Sequence, residues 1–317
     1  MENQIAGIHH VTAIVEDPQQ NIDFYAGVLG LRLVKQTVNF DDPHTYHLYF
    51  GDELGQPGTI LTFFPWPGAR HGSRGTGQVS AIALAIPTSS VDYWQQRLTS
   101  YGFIVSEPTS RFGENSLSVY DPSGLLLELA AQPETSEQHI WESGFVPSDH
   151  AIRGISGVTL TIAQHEPTAT LLTETMGFRK VGEAGRYVRY AVADSGPGKH
   201  IDVVSRPEVP EGLVAAGTVH HIAWRTPNDT EQHAWRETLI RQGYEVTPVR
   251  DRQYFRSIYF REPGGVLFEI ATDEPGFAVN EPPDQLGTHL MLPPWLEQRR
   301  PQLEQTLPPI TLPVTKD

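Results

Sequence analysis

Two pairs of adjacent histidines stand in separate halves of the chain, His9-His10 in GIHHVTAIV and His220-His221 in TVHHIAWRT. Imidazole is the commonest metal ligand and, near neutral pH, a proton carrier. One such pair is weak evidence. Two pairs, each inside a short β-branched run, point to a repeated unit whose copies bring imidazoles to one place. Glu269, in the apolar run GGVLFEIAT, offers a carboxylate. Two imidazoles and one carboxylate with further positions open form the facial triad of non-haem Fe(II) oxygenases. A metal needs its ligands in one cavity, so everything turns on which elements could gather them.

Internal repeats supply those elements. DPSGLLLELAAQ (121–132) and EPGGVLFEIATD (262–273) each run an acid, a turn of Pro and Gly, then an apolar stretch holding one Glu. WQQRLTSYGFIVSEP (94–108) and WRETLIRQGYEVTPV (235–249) each read as an amphipathic helix, a Gly stop and a strand. FYAGVLGLRLVKQ (24–36) is similar to LLTETMGFRKVGE (171–183). The chain therefore parses into four modules, 7–66, 78–132, 154–206 and 218–273, the first matching the third and the second the fourth. Each reads strand, helix, three strands. In the first, GIHHVTAIV is β-rich and DPQQNIDFYAGVLG carries helix signals that stop at Gly30. LRLVKQTVNF, TYHLYFG and GTILTFF follow as bounded runs. The expected fold is α+β: four βαβββ modules in two tandem domains, residues 1–140 and 150–280, forming open cupped mixed sheets. Residues 133–153 read as the linker between halves. The Pro-rich 281–317, with a helix candidate at 295–305, reads as a strap over the surface.

Aligning the modules sets His9-His10 against Ser80-Ala81, Ser156-Gly157 and His220-His221. Glu269 falls opposite Glu128 of the second module and Thr62 of the first. The third offers no clear acid in HIDVVSRP beyond Asp202. Pairing modules one with two and three with four would give two cavities, each with one histidine pair and one Glu. Pairing one with four and two with three gathers both histidine strands and Glu269 in one cavity. The other then holds a lone Glu128, a structural or vestigial acid. Only the second arrangement builds the triad, and it is the expectation taken forward. Strand alternation sends neighbouring side chains to opposite faces, so both members of a pair cannot ligate from one regular strand. Periodicity does not choose between them.

Composition narrows the alternatives. The 317 residues suffice for about two domains. A formal charge of −15 excludes a phosphate-neutralising nucleic-acid surface. No run approaches the ~20 apolar residues of a membrane span. With zero cysteines there is no disulfide, thiolate ligand or Cys nucleophile. MENQIAG lacks the basic and apolar regions of a signal peptide, so a cytoplasmic location is expected.

The module layout resembles the vicinal oxygen chelate superfamily, whose paired modules form cupped sheets around a metal. The segments DEPGFAVNEP and LPPWLEQRRPQLEQTLPPI resemble the endings of bacterial ring-cleaving dioxygenases, nearest the hydroquinone-cleaving (para-diol) branch of the extradiol type. In that family's HH-[VI] motif the second histidine is the ligand. The resemblance therefore implies His10, His221 and Glu269 around Fe(II), with Mn(II) as the alternative, and His9 and His220 in supporting or substrate-side roles. Arg252 and Tyr259, seven residues apart in DRQYFRSIYF (251–260), match the hydroquinone-cleaving members. Arg would stabilise a developing anion and Tyr would hydrogen-bond or move a proton. Thr12, two residues after His10, matches as well. His47, in YHLYFGDELGQPGT (46–59), reads as structural, and Trp224 and Phe268 as core packing rather than walls of a ring site.

Thr62 bears on the chemistry. Glyoxalase-type isomerases of this superfamily generally use four protein ligands, and a threonine hydroxyl is a poor fourth. Three ligands leave room for a phenolic oxygen and O₂ on one ion. That ion must be redox-active, which Zn²⁺ is not. The expected function is Fe(II)-dependent cleavage of a hydroquinone-type ring, with a small aromatic diol and O₂ as partners. The alternatives are an extradiol catechol dioxygenase, a glyoxalase-type isomerase and a metal-free aromatic-binding protein of the same fold. A monomer and a homo-oligomer are both compatible with this reading.

Overall fold

The computed structural model describes residues 5–133, 140–142, 145–192 and 198–314. Residues 134–139 and 143–144 of the expected linker and the last three residues of the expected strap lie outside these. The first module runs β1 (Ile8–Val15), α1 (Pro18–Ile22) continued by a π-helical turn, β2 (Arg32–Asn39), β3 (Asp42–Gly51) and β4 (Ile60–Pro65). The second runs β5 (Gln78–Pro87), α2 (Val91–Ser100), β6 (Thr109–Arg111), β7 (Glu114–Tyr120) and β8 (Leu126–Gln132). The third runs β9 (Ile155–Ile162), α3 (His165–Thr170), β10 (Arg179–Ala184), β11 (Tyr187–Ala191) and β12 (His200–Ser205). The fourth runs β13 (Thr218–Thr226), α4 (Asp229–Arg241), β14 (Arg250–Asp251), β15 (Arg256–Arg261) and β16 (Leu267–Thr272).

Two curled eight-stranded sheets result, and each mixes the halves of the chain. One has the order β14-β15-β16-β13-β1-β4-β3-β2, the other β10-β11-β12-β9-β5-β8-β7-β6. The first module is thus joined to the fourth through β1 and β13, and the second to the third through β5 and β9, both antiparallel. These junction strands sit mid-sheet and are largely buried on both faces. Every residue of β1 is buried, whereas the edge strand β10 is largely exposed. The segments that link module one to two and three to four pair with each other at His71–Ala216, Ser73–Leu213 and Thr76–Glu211.

Helix boundaries follow local chemistry. Asp17 caps α1, its Oδ1 accepting from the amides of Gln19 and Gln20, and Pro18 occupies the first turn, where its missing N–H costs nothing. The run ends at Gly30, whose φ of 72° suits glycine. Asn228 caps α4 in the same way. On the buried face of α4, Gln232 donates to the carbonyls of Arg256 and Ile270, which pins the helix to β15 and β16. The helix candidate of the tail is α5 (Arg300–Thr306), preceded by a 3₁₀ turn at Glu297–Arg299. The tail lies along β2 and β3: Met291 donates its amide to the Gln36 carbonyl, and the Tyr46 hydroxyl donates to the Pro308 carbonyl. Among the described residues no helix is long and apolar enough to cross a membrane.

Candidate metal centre

Both histidine pairs sit on β-bulges. From Ile8 to His10, β1 advances two residues while β13 moves one, from Trp224 to Ala223; the extra residue is His9. Between Thr12–His221 and Ala13–Val219 the extra residue belongs to β13, and it is His220. A bulge re-aims the inserted side chain, so strict alternation fails at each pair. In each case the first imidazole ends beside the second: His9 Nδ1 is 2.9 Å from His10 Nδ1, and His220 Nδ1 is 2.7 Å from His221 Nδ1.

The second imidazoles converge across the β1–β13 junction. His10 Nε2 and His221 Nε2 are 3.4 Å apart, and Glu269 Oε2 lies 3.4 Å from the first and 2.8 Å from the second. All three residues are buried. They are the one group of three metal-ligating side chains among the described residues whose donor atoms cluster in this way. Donors ~2.1 Å from one cation and at right angles to each other lie ~3.0 Å apart, so the spacing fits a facial set. Fully buried, Glu269 Oε2 has no well-aligned hydrogen-bond donor, and what faces it are the two imidazole Nε2 atoms. An unsatisfied carboxylate oxygen between two imidazoles is costly unless a cation faces it. Its sister Oε1 accepts from the Ser257 hydroxyl, which fixes the carboxylate's orientation.

Hydrogen bonds assign the tautomers on one side. His9 Nε2 is 3.1 Å from the carbonyl oxygen of Thr272, which can only accept. His9 therefore carries its proton on Nε2 and accepts at Nδ1 from His10, leaving the His10 Nε2 lone pair toward Glu269 and His221. Burial, then the neighbouring His10, pushes the His9 pKa well below the usual imidazole value. Burial also lowers His221, and burial with His221 beside it lowers His220 to about 3. Ligation needs neutral imidazole, and this environment supplies it. For Glu269, burial favours protonation, but His10 and His221 outweigh it and hold the carboxyl well below its ordinary range.

A cavity of about 390 Å³ opens on the triad, walled by aromatic rings such as Phe64, Trp66 and Phe255. Its size suits a small organic ligand. His220, Arg252 and Tyr259 line it; His9 and Thr12 do not. Arg252 Nε donates to the Tyr259 hydroxyl at 3.1 Å. Burial raises the Tyr259 pKa, so the phenol keeps its proton. Thr12 pairs with Thr62, hydroxyl to hydroxyl, at 2.8 Å. His47, expected to be structural, also lines the cavity and bridges Thr62 and Tyr49 at 2.8 Å each. Trp224 and Phe268 pack on one another in the core, as expected. Reading the sequence missed Phe255, whose ring lies about 5 Å from those of both His9 and His10. Ser257 was also missed, although it lies two residues from Tyr259 and so shares its side of β15.

A family model described as the Glyoxalase/Bleomycin resistance protein/Dioxygenase superfamily matches residues 7–129 and 154–270. The chain belongs to this superfamily. It is 51% identical over 309 residues, 98% of each chain, to a Bacillus subtilis (strain 168) protein provisionally named ring-cleaving dioxygenase MhqO. It is 35% identical over 313 residues, 97% of each chain, to the chlorohydroquinone/hydroquinone 1,2-dioxygenase of Sphingobium indicum. A crystal structure from Bacillus subtilis, titled provisionally as a dioxygenase, superposes with a TM-score of 0.94 at 50% identity, over 98% of this chain and 99% of that one.

The centre of the other cup of this superfamily member is filled by ion pairs. Glu128 is paired with Arg111 at 2.6 Å, Asp202 with Arg189 at 2.7 Å, and Glu114 with Arg189 at 2.7 Å. The space left among these ion pairs is about 10 Å³, room for one water at most, while a more open hollow of about 270 Å³ beside them is lined by Ser80, Ala81, Glu128 and Tyr187 among others.

Proposed function

We propose that this protein is a ring-cleaving dioxygenase acting on hydroquinone-type (para-diol) rings, with Fe(II) held by His10, His221 and Glu269. The observation that carries the reading is the convergence of these three donors at the floor of an aromatic-walled cavity, with no fourth protein ligand among the described residues. The position a fourth would take belongs to Thr62, whose hydroxyl is spent on Thr12 and His47. The names of the relatives support the same chemistry. Fe(II) bound here would supply Lewis acidity toward a phenolic oxygen and one-electron access to O₂.

The residues of the chain do the rest. Phe64, Trp66 and Phe255 exclude water and hold an aromatic ring by its faces. Tyr259, kept protonated, donates a hydrogen bond to a substrate oxygen. Arg252, its charge made more secure by Tyr259 and Asp41 despite burial, stabilises negative charge as it develops. His220 is neutral and turns toward the cavity, where it accepts or returns a proton. His9, tied to the Thr272 carbonyl, orients His10. Thr12 acts from behind the wall, through Thr62.

Anaerobic loading with Fe(II) or Mn(II), followed by a panel of hydroquinones and catechols, tests the proposal through oxygen uptake and the yellow ring-fission product. Turnover of hydroquinones by the Fe(II) form is expected. Preference for catechols would move the substrate assignment, and thiol-adduct isomerisation without oxygen uptake would overturn it.

A further inference from the structure

Asp41 stands at the tip of the β2–β3 hairpin, contributed by the first module, and reaches across the cavity mouth to the fourth. Its carboxylate lies 2.9 Å from Arg252 Nη1. The tip is shaped to hold it there. The Asn39 side chain accepts the Asp41 amide at 3.0 Å, the Phe40 ring meets Trp295 of the tail edge-on at 5.6 Å, and Asp42 accepts from the Thr45 hydroxyl at 3.1 Å.

Arg252 is the one Lys or Arg among the described residues that line the cavity. Its guanidinium recognises a carboxylate best through two adjacent N–H groups. Nε is spent on Tyr259 and Nη1 on Asp41, so each two-donor edge of the fork already has one member engaged. Asp42 adds a further negative charge at the rim, on a chain of net −15. An anionic ring would meet these carboxylates with no free fork to receive it.

We infer that Asp41 is a specificity determinant: by occupying Arg252 it restricts the cavity to uncharged aromatic diols and rejects those bearing a carboxylate. This rests on the reading of the cavity as an aromatic-diol site, but not on turnover there. The test is equilibrium binding of hydroquinone and of 2,5-dihydroxybenzoate to the metal-free full-length protein under argon, read by quenching of tryptophan fluorescence, Trp66 on the cavity wall being one of the six tryptophans. Asp41→Asn should shift the affinity ratio toward the acid by about tenfold, ~1.4 kcal/mol. Adding Arg252→Gln should abolish that shift, and Asp42→Asn alone should produce a smaller one. An unmoved ratio in Asp41→Asn, a shift that survives loss of Arg252, or an equal shift in Asp42→Asn would each overturn the inference. A chain that shows the binding shift yet never consumes oxygen would count against the dioxygenase reading alone.

Discussion

The two cups share one backbone plan and differ in what neutralises the centre. Gly157 pairs with Ala83 and Ala83 with Glu128, just as His10 pairs with Ala223 and Ala223 with Glu269. By that register Gly157 stands for His10, Ala81 for His221, Glu128 for Glu269 and Asp202 for Thr62. Even the bulges persist: Ser80 and Ser156 are the extra residues where His220 and His9 are in the other sheet. The equivalent positions His10 and Gly157 are occupied differently, however. A Cβ on Gly157 would meet His200 Nε2 at 2.3 Å, so an imidazole from β12 fills the space a ligand would need. In the second cup, arginines balance the acids and close the space between Gly157 and Asp202, leaving only a hollow to one side of Glu128. In the first, buried imidazoles face a fully buried acid, and the cavity stays open. Bulged strands create the opportunity for a metal site; the side chains at and beside the bulges decide whether it is taken.

That contrast can be broken at several points. The largest effect should come from Glu269→Gln, which removes the charge between His10 and His221: bound iron and turnover should both be lost with the fold retained, as read by metal analysis, oxygen uptake and circular dichroism. The matching change Glu128→Gln should leave the iron content of the protein unaltered. Iron loss there would mean that the second cup also binds metal.

Next is Arg189→Met. It leaves Asp202, 2% exposed, with only the Arg111 Nε at 3.3 Å, and Glu114 without its arginine. Breaking a buried pair from one side costs ~3–5 kcal/mol. Urea denaturation should show that loss, while metal content stays the same.

His9→Phe keeps an aromatic ring at the bulge but removes the acceptor for His10 Nδ1. Metal affinity should fall by about 10–100-fold, measured by competition with a chelator. An unchanged affinity would show that the Thr272–His9–His10 chain does not orient the ligand.

A smaller effect concerns pH. His220 is lowered to about 3 and His200 to about 4, each mainly by burial, and burial likewise lowers His9, His47 and His221. An unfolded histidine titrates near 6.5, so below that value the unfolded chain binds more protons than the folded one. The stabilisation is therefore complete above about pH 6.5 and drains away as pH falls toward 3–4. Thermal denaturation of the metal-free protein should show Tm falling through this window. His200→Phe should weaken the dependence less than His220→Phe combined with His9→Phe, because more of the depressed histidines lie in the first cup.

Much of this was legible in the sequence because it is periodic. The repeated Pro-Gly turn before each Glu run fixed the frame in which His9-His10 and His220-His221 aligned, and the absence of a histidine pair from modules two and three pointed to the pairing of outer with outer. The β-bulges were not legible: a two-residue histidine run looks like ordinary alternation, and only cross-strand register reveals the inserted residue. Nor were Asp41 and His47. They reach the site from the β2–β3 hairpin, on the far side of the sheet from Glu269, and nothing local to either marks the fourth module as its neighbour. Arg111 and Arg189 escaped notice for the same reason, since their acids lie on other strands.

The most direct measurement is anomalous diffraction from crystals loaded with Mn(II) or, anaerobically, with Fe(II). A single peak among His10 Nε2, His221 Nε2 and Glu269 Oε2, with none beside Glu128 and Asp202, is the predicted result. A peak in the second cup, or none at the triad of the fully loaded protein, would contradict it.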